Sequence, residues 1–328
     1  MTRRRVAIIV NAAARGARDV ARRLAEEFRD DGVRVTTTAA LSEARGAVYE
    51  AVERGAEVVL FGGGDGTLAM GLTLLEEAGR RRAPPAIGVL RMGTGNAFAR
   101  AHEVRAGMGG HRAQVRRALN REHTLRPFRA ISALGAQAPF CGFGVDAQLI
   151  ADHDAVRRSW LGGRLGRRGA GALGYAVAIG TRSLPRWALT RRPEVEVRNA
   201  GAPAQRLDAR GEASGPPVPA GAVLWAGPCT MAAASTIRCF GFGLQMFPFA
   251  AARADRFQLR ASDAGLTEIL WNTPAAFRGT YTSARVHDFL VDRVELTLSE
   301  PAPFELGGEV LGELKRVELA LGPQRWTV

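Results

Sequence analysis

The stretch Val58–Thr67 reads Val-Val-Leu-Phe-Gly-Gly-Gly-Asp-Gly-Thr, and it decides how the first part of this chain folds. Its four leading apolar residues predict a buried strand, and the leucines spaced along 67–78 predict a helix after the glycines. Glycine lets the backbone turn sharply and approach a ligand closely. The free N–H groups at the start of the helix then favour an anion such as phosphate.

Asp65 is the unusual residue of this turn, because a carboxylate repels a phosphate group placed beside it. It is tolerated there if it binds a bridging cation or accepts a proton, so its presence indicates chemistry. The plainer alternative is an ordinary tight turn in which Asp65 helps to cap the next helix. We expect Asp65 to be an exposed loop carboxylate.

The same alternation of strand and helix continues outward from this stretch. Strands are predicted at Val6–Val10, Val33–Thr37 and Ala86–Leu90, with amphipathic helices between them. Strands that are apolar on both faces argue for a parallel sheet covered by helices on both sides. We therefore predict a Rossmann-like, three-layer α/β nucleotide-binding domain over residues 1–126. Its ligand is expected at the carboxyl ends of the strands.

The sequence pattern changes near residue 127, where short runs with period-two alternation replace the helix-and-strand series. This pattern predicts an antiparallel β-sandwich over residues 127–328 that carries the substrate, and it leaves open a return of the last strand to the first domain. A helix is predicted at Gly171–Leu184, and a buried strand followed by a loop at Ala220–Ile237. The predicted strands are Phe128–Leu134, Glu194–Arg198, Ala222–Trp225, Phe257–Leu259, Leu266–Trp271, Val294–Leu298 and Val317–Leu321.

Composition narrows the class of protein. With 46% hydrophobic and 23% charged residues, the 328-residue chain is typical of a globular protein of two domains. The formal charge of +13 comes almost entirely from arginine, since Lys315 is the only lysine. Such a charge favours anionic partners, although a GC-rich genome would also enrich arginine. No nucleic-acid-binding motif accompanies it, so we expect no nucleic-acid partner.

The spacing of cysteine and histidine and the hydropathy pattern argue against a zinc enzyme, a signal peptide and a membrane-spanning segment. The three cysteines and five histidines lack metal-ligand spacing, which argues against a zinc enzyme. The apolar run after Met1 is too short for a signal peptide, and Ala220–Ile237 consists mainly of small residues rather than a membrane span. We expect a cytoplasmic protein.

Two more polar loops follow predicted strands and are expected at the same edge of the sheet. Asn11–Gly16 follows the first strand and offers an amide, free N–H groups and the guanidinium of Arg15. Gly93-Thr94-Gly95-Asn96 follows the fourth strand, where Thr94 and Asn96 could bind phosphate or ribose, or simply cap the next helix. Three such loops at consecutive strand ends are stronger evidence for a site than any of them alone.

Together these loops resemble the signatures of the diacylglycerol kinase catalytic family, which includes bacterial lipid kinases and the sphingosine and ceramide kinases. Asn11–Gly16 is similar to the family's first loop, Asn-Pro-x-Ser-Gly, with Ala12 in place of proline and one extra residue. Further on, Gly142–Ala147 resembles the segment Gly-x-Gly-Phe-Asp-Ala, and Phe247–Phe257 resembles the segment Pro-x-Ala followed by Asp-Gly-x-Leu. The resemblance runs through nearly the whole chain in the right order.

The resemblance implies an ATP-dependent, Mg²⁺-using lipid kinase with its cleft between the two domains. Glu309 matches the family's proton acceptor, and Asp65 would bind the catalytic Mg²⁺ or orient the acceptor hydroxyl. Asp255 matches an aspartate near a structural Mg²⁺. The implied nucleotide-binding residues are Asn11, Arg15, Gly16, Thr38, Gly62, Gly63, Gly64, Asp65, Gly66, Thr67, Gly93, Thr94, Gly95 and Asn96.

Two departures from the family keep other functions open. The family's late Asp-Gly-Glu motif is Gly307-Gly308-Glu309 here, and its Asp-Gly pair is Asp255-Arg256. The leading hypothesis is transfer of the γ-phosphoryl group to a diacylglycerol-like or sphingoid-like hydroxyl. The alternatives are a nucleotide- or lipid-binding scaffold that has lost activity and, less favoured by the motifs, an NAD kinase-like or phosphofructokinase-like enzyme.

A lipid substrate requires access to a membrane. The segment Arg157–Arg168 combines five arginines with Trp160, Leu161 and Leu165, which suits peripheral adsorption to an anionic bilayer. A solvated basic loop is the plain alternative. The sequence also leaves a homodimer open.

Overall fold

The first part of the chain forms a parallel sheet in the order β2-β1-β3-β4. The computed structural model describes residues 3–79, 83–158, 181 and 192–328. Within the first part, the strands are β1 (Val6–Asn11), β2 (Arg34–Thr38), β3 (Val58–Gly63) and β4 (Ala86–Arg91), and the helices are α1 (Ala17–Glu27), α2 (Leu41–Glu53), α3 (Asp65–Ala78), α4 (Ala97–Ala101) and α5 (Gly107–Leu119).

Helices cover both faces of this sheet, as the apolar strands predict. Side chains of neighbouring strand residues point to opposite faces. Accordingly, Ile8 packs with Leu24 of α1 and Val115 of α5, all fully buried. Ile9, one residue further, belongs to the core formed with α2 and α3, in which Val48 and other residues of these helices are buried. The three-layer arrangement is therefore confirmed.

The remaining strands are mainly antiparallel and enclose a second core. Alternate residues of these strands point inward, and the rings of Phe143 and Phe304 pack with centroids 5.1 Å apart. The strands are β5 (Arg126–Ala133), β6 (Ala136–Ala138), β7 (Phe140–Gly144), β8 (Glu194–Asn199), β9 (Gln205–Leu207), β10 (Val223–Pro228), β11 (Met231–Ser235), β12 (Phe257–Ser262), β13 (Val286–Val291), β14 (Arg293–Leu306) and β15 (Glu309–Thr327), and the helices are α6 (Val145–Arg158), α7 (Leu266–Trp271) and α8 (Thr273–Arg278). The predicted fold class, α/β followed by antiparallel β, is confirmed.

Strand β15 joins the two parts into one continuous sheet. It pairs antiparallel with β14 and β5, and its end lies parallel to β4, where Thr327 is the partner of Ile87. The N–H of Val328 donates to the carbonyl of Ile87 at 2.9 Å. The last strand thus returns to the first sheet, and it carries residues from the far end of the chain to the site. The boundary at residue 126 stays a prediction.

Two predicted elements of the second part are corrected. Leu266–Trp271 is the helix α7 and not a strand, and both Leu270 and Trp271 are exposed. Neighbouring strand residues would point to opposite faces, so one of the two would have to enter the core. Ala220–Ile237 holds two strands, β10 and β11, because the chain leaves its pairing with β8 at Pro228 and then pairs with β7 and β12.

Two further predictions lie outside the described residues. The helix predicted at Gly171–Leu184 lies outside the described residues, except for Thr181. The predicted membrane-binding segment Arg157–Arg168 lies outside them from residue 159 onward. Among the helices that the structure describes, none is both long and apolar enough to cross a bilayer.

Candidate active site

The loops predicted to form the site meet at the carboxyl edge of the parallel sheet. Asn11 and Thr38 are register partners at the ends of β1 and β2, and the N–H of Ala12 donates to the Thr38 carbonyl at 2.8 Å. The N–H of Met92 donates to the carbonyl of Gly63 at 3.2 Å, which ties the end of β4 to the end of β3. The four strand ends therefore form one continuous edge.

The glycines of this edge are required because neighbouring groups leave no room for a Cβ. A Cβ on Gly93 would overlap the Cα of Gly64, and a Cβ on Gly63 would overlap the side chain of Thr67. Thr67 is itself buried and accepts a hydrogen bond of 3.2 Å from Nδ2 of Asn11. The middle loop is thus in contact with both of the other predicted loops.

Asp65 links the two glycine turns through its carboxylate. Its Oδ2 accepts from the N–H of Ala97 at 3.0 Å, and its Oδ1 accepts from the N–H of Phe98 at 3.2 Å. Burial raises the pKa of Asp65, while the backbone donors of residues 96–98 oppose the rise. The expectation of an exposed loop carboxylate is corrected: Asp65 is partly buried and caps α4, the helix that follows the other glycine turn.

Asn96 stabilises the glycine turn that contains it. It adopts a left-handed conformation with φ of 52°, and its Oδ1 accepts from the N–H of Gly93 at 3.0 Å. With 5% of its surface exposed, Asn96 closes the turn that positions α4, whereas Thr94 is exposed. Asn96 occupies the N-cap position of α4, but its side chain makes no capping hydrogen bond to the helix, whose first N–H groups donate to Asp65 instead.

Beside these loops lies a cavity of about 520 Å³. Five of the predicted site residues line it: Asn11, Thr38, Gly66, Thr67 and Glu309. Apolar groups from α2 and α3 line it as well, among them Leu41, Met70 and Leu74. A cavity with this mixed lining can hold a ligand that has both a polar part and an apolar ring.

Glu309 reaches the cavity from the far end of the chain. It begins β15, and its carboxyl group lies so close to Gly66 that a Cβ on that glycine would overlap it. Glu309 is exposed as a whole residue, but partial desolvation of its carboxyl group raises its pKa, and the charge of Asp154 on α6 adds to the rise. The structure thus brings Glu309 beside the turn that contains Asp65, which their separation in sequence does not reveal.

Other predicted site residues do not line this cavity. Arg15 and Gly16 are exposed in the first loop. Asp255 is exposed, and its carboxylate accepts from Arg253 at 2.9 and 2.8 Å and from Arg256 at 3.2 Å. Within the described residues, no group of three or more histidines, cysteines and acidic residues could hold a metal. The assignment of Asp255 as a metal ligand stays a prediction.

Two buried acids near the site escaped the sequence analysis. Glu305 is fully buried on β14; its Oε2 accepts from the N–H of Gly308 at 2.9 Å, and its Oε1 has no hydrogen-bond partner. Both carboxyl oxygens of Asp146, at the start of α6, are buried without a partner. Burial raises the pKa of Asp146 to about 6, and burial together with the charge of Asp146 raises the pKa of Glu305 well above its usual range.

A signal for these acids was present in the sequence. Asp146 lies in the family-like segment Gly142–Ala147, and Glu305 precedes Gly307 by two residues. Gly307 itself has no room for a side chain, since φ is 62° and a Cβ would lie 2.8 Å from the Cβ of Ala69. The aspartate of the family is therefore absent at position 307, but a buried carboxyl group lies two residues earlier, at Glu305.

Residues 5–128 match the model of the diacylglycerol kinase catalytic domain. The resemblance to this family is confirmed over these residues. Over 97 residues, the chain is 37% identical to a protein of Yersinia enterocolitica described as "Probable lipid kinase YegS-like". That match covers 28% of this chain and 31% of the relative, so it spans less than a third of the relative's length.

Solved structures extend the similarity over the whole fold. A diacylglycerol kinase from Bacillus anthracis strain Sterne has a TM-score of 0.66 with 12% identity, covering 100% of this chain and 97% of that chain. A second solved chain from the same strain also has a TM-score of 0.66, with 14% identity over 98% of this chain. At these identities the likeness concerns the fold: both the α/β part and the antiparallel part have counterparts in a diacylglycerol kinase.

Proposed function

We propose that this protein is an ATP-dependent lipid kinase that transfers the γ-phosphoryl group to a hydroxyl of a diacylglycerol-like or sphingoid-like lipid. The observation that carries the proposal is the cavity in which Glu309 lies against Gly66, beside Asn11, Thr38 and Thr67. The match of residues 5–128 to the kinase domain supports the same reaction. A cytoplasmic protein that acts at the membrane surface fits such a substrate.

The glycine turns would hold the nucleotide phosphates. Phosphoryl transfer requires little covalent help from the protein, so the enzyme mainly positions ATP and spreads the developing charge. Free N–H groups at the start of α3 favour phosphate oxygens. The apolar lining from Leu41, Met70 and Leu74 suits the base of the nucleotide.

Glu309 would accept the proton of the lipid hydroxyl as that oxygen attacks the γ-phosphorus. A carboxylate of ordinary pKa is a weak base for an alcohol, and partial desolvation of the carboxyl group raises the pKa of Glu309 in the favourable direction. With Glu309 against the glycine turn, the base would lie beside the bound phosphates, and the acceptor would enter between the two halves of the molecule.

Asp65 is the residue that would hold Mg²⁺ with the nucleotide. Mg²⁺ usually takes one or two carboxylates and completes its shell with phosphate oxygens and water. Each oxygen of Asp65 accepts one backbone hydrogen bond and keeps acceptor capacity, so the residue fits this role. When bound, Mg²⁺ would neutralise negative charge on the phosphates. Asp255, with its two arginine partners, is assigned no part in the reaction.

The test is transfer of label from [γ-³²P]ATP to defined lipids, namely diacylglycerol, sphingosine and ceramide, in the presence of Mg²⁺. We expect one lipid class to be phosphorylated and Glu309→Gln to lower the rate about 10²–10⁴-fold. Glu313→Gln is the matched control, because Glu313 is an exposed residue of the same strand that does not line the cavity. Failure to label any lipid would refute the proposal, and equal rates for Glu309→Gln and the parent would refute the assigned base.

A further inference from the structure

A second cavity, of about 540 Å³, lies apart from the one around Glu309 and shares no lining residue with it. It is formed where the end of α4, the start of β5 and the segment before β12 meet. One acidic residue, Glu103, lines it. Its wall carries five arginines: Arg100, Arg129, Arg238, Arg253 and Arg256.

These guanidinium groups are only partly compensated. Arg253 and Arg256 share the single carboxylate of Asp255. The side chains of Arg100 and Arg129 donate only to backbone carbonyls, and Arg238 has no side-chain partner within the described part of the chain. Five positive groups thus face two carboxylates, those of Glu103 and Asp255. A guanidinium fork matches the oxygens of a phosphate group, so the cavity suits a phosphate-bearing anion.

An exposed apolar surface adjoins this cavity. On the helix pair α7–α8, Leu270 is 59% exposed, Trp271 86% and Phe277 50%. Gln245, which lines the cavity, donates its backbone N–H to the carbonyl of Ala276 in α8 at 2.9 Å. Exposed aromatic and aliphatic side chains grouped in this way mark an interaction surface.

We propose that this face docks on a membrane that contains anionic phospholipids. The phosphate-bearing headgroup enters the arginine-lined cavity, while Leu270, Trp271 and Phe277 dip into the interface. The positive charge of the cavity favours an anionic membrane over a neutral membrane. Segments that bind at membrane interfaces also combine apolar side chains with arginines, as this face does. The proposed kinase function gives the reason for docking, but the docking itself can be tested without turnover.

The test is co-sedimentation of the full-length protein with two kinds of vesicle: phosphatidylcholine alone, and phosphatidylcholine with about one-third phosphatidylglycerol. We expect binding to the anionic vesicles only. Arg238→Gln with Arg253→Gln should lower the partition coefficient about 30-fold at low salt, since each basic residue near an anionic surface contributes about 1 kcal/mol. Trp271→Ala with Phe277→Ala should lower it roughly tenfold or more.

Matched controls separate this face from general charge and hydrophobicity. Arg18→Gln with Arg29→Gln makes the same change in net charge on exposed residues in α1 and in the turn after it. Leu134→Ala shortens a side chain that is 56% exposed in another turn. Both controls should bind vesicles as the parent does. Thermal melting must show that every variant folds.

Three results would overturn the proposal. Unchanged vesicle binding by both double variants would place docking elsewhere, for example on the segment Arg157–Arg168. Equal binding to neutral vesicles would remove the role of the anionic headgroup. If inorganic pyrophosphate stabilises the parent but not the arginine variant, and vesicles are not bound, the ligand is a soluble phosphate compound. Vesicle binding without lipid labelling would instead refute the kinase function and leave the docking face intact.

Discussion

Asp65 Oδ2 accepts a hydrogen bond of 3.0 Å from the backbone N–H of Ala97, so the carboxylate that begins one helix caps another. The contact joins the two glycine turns that come from neighbouring strands of the parallel sheet. The residue proposed to hold Mg²⁺ is therefore also part of the framework that shapes the site, and its substitution should affect both stability and turnover.

We expect Asp65→Ala to lower the free energy of unfolding by about 1–2 kcal/mol, because two backbone N–H groups lose their acceptor. Asp65→Asn keeps one acceptor oxygen and should cost less, yet it should abolish phosphoryl transfer if the carboxylate charge is needed. Urea unfolding and lipid labelling measure the two effects. Asp30→Asn, on an exposed turn residue, is the control. Full stability of Asp65→Ala would contradict the capping role.

Gly66→Ala should impair transfer while leaving the fold intact. Gly66 lies in the first turn of α3, where alanine favours the helix, but its Cβ would overlap the carboxyl group of Glu309. Displacement of the base should lower kcat. The double variant Gly66→Ala, Glu309→Gln should be no slower than Glu309→Gln alone. If the losses of the two single variants add up in the double variant, the two residues are not coupled in this way.

Gly307→Asp should fail to improve the enzyme, although the family has an aspartate at this place. The backbone has φ of 62°, and a Cβ would lie 2.8 Å from Ala69 and 3.1 Å from Ala138. We expect Gly307→Ala to destabilise the protein by more than about 1–2 kcal/mol, the cost of a left-handed residue alone. Gly221→Ala is the matched control, since φ is 80° there with open space around it. Equal melting temperatures for the two variants would show that crowding is unimportant.

The unpartnered carboxyl group of Asp146 should make stability depend on pH. Burial raises its pKa to about 6 from 3.8, so the folded protein binds more protons than the unfolded chain between these values. Stability should therefore fall as pH rises from 3.8 to about 6, by on the order of 2–3 kcal/mol, and change little above that range through this group. Asp146→Asn should remove most of this slope and be more stable than the parent above pH 6.

Chemical denaturation at several pH values measures this effect. Some slope should persist in Asp146→Asn, because burial also raises the pKa of Glu305. Asp30→Asn should keep the slope of the parent. An unchanged slope in Asp146→Asn would show that this carboxyl group does not carry the linkage.

The sequence by itself determined the parallel part and the edge at which the site forms. Apolar strands alternating with amphipathic helices fix a three-layer sheet, and the carboxyl ends of parallel strands necessarily meet at one edge. Asn11, Thr38 and Thr67 could therefore be assigned to one place, and the structure brings them into contact. Local pattern was sufficient because each loop directly follows its own strand.

Features that depend on packing between residues far apart in sequence were decided only by the tertiary structure. The period-two pattern could not show that Leu266–Trp271 is a helix, because short apolar runs suit either element until their neighbours are known. The return of β15 beside β4 depends on a pairing between residues far apart in sequence. The same strand sets Glu309 against Gly66, and the packing around β14 buries Glu305 without a second partner. Burial and contact at such separations arise only when β14 and β15 join the two parts of the sheet, and the residues next to these positions in sequence do not predict them.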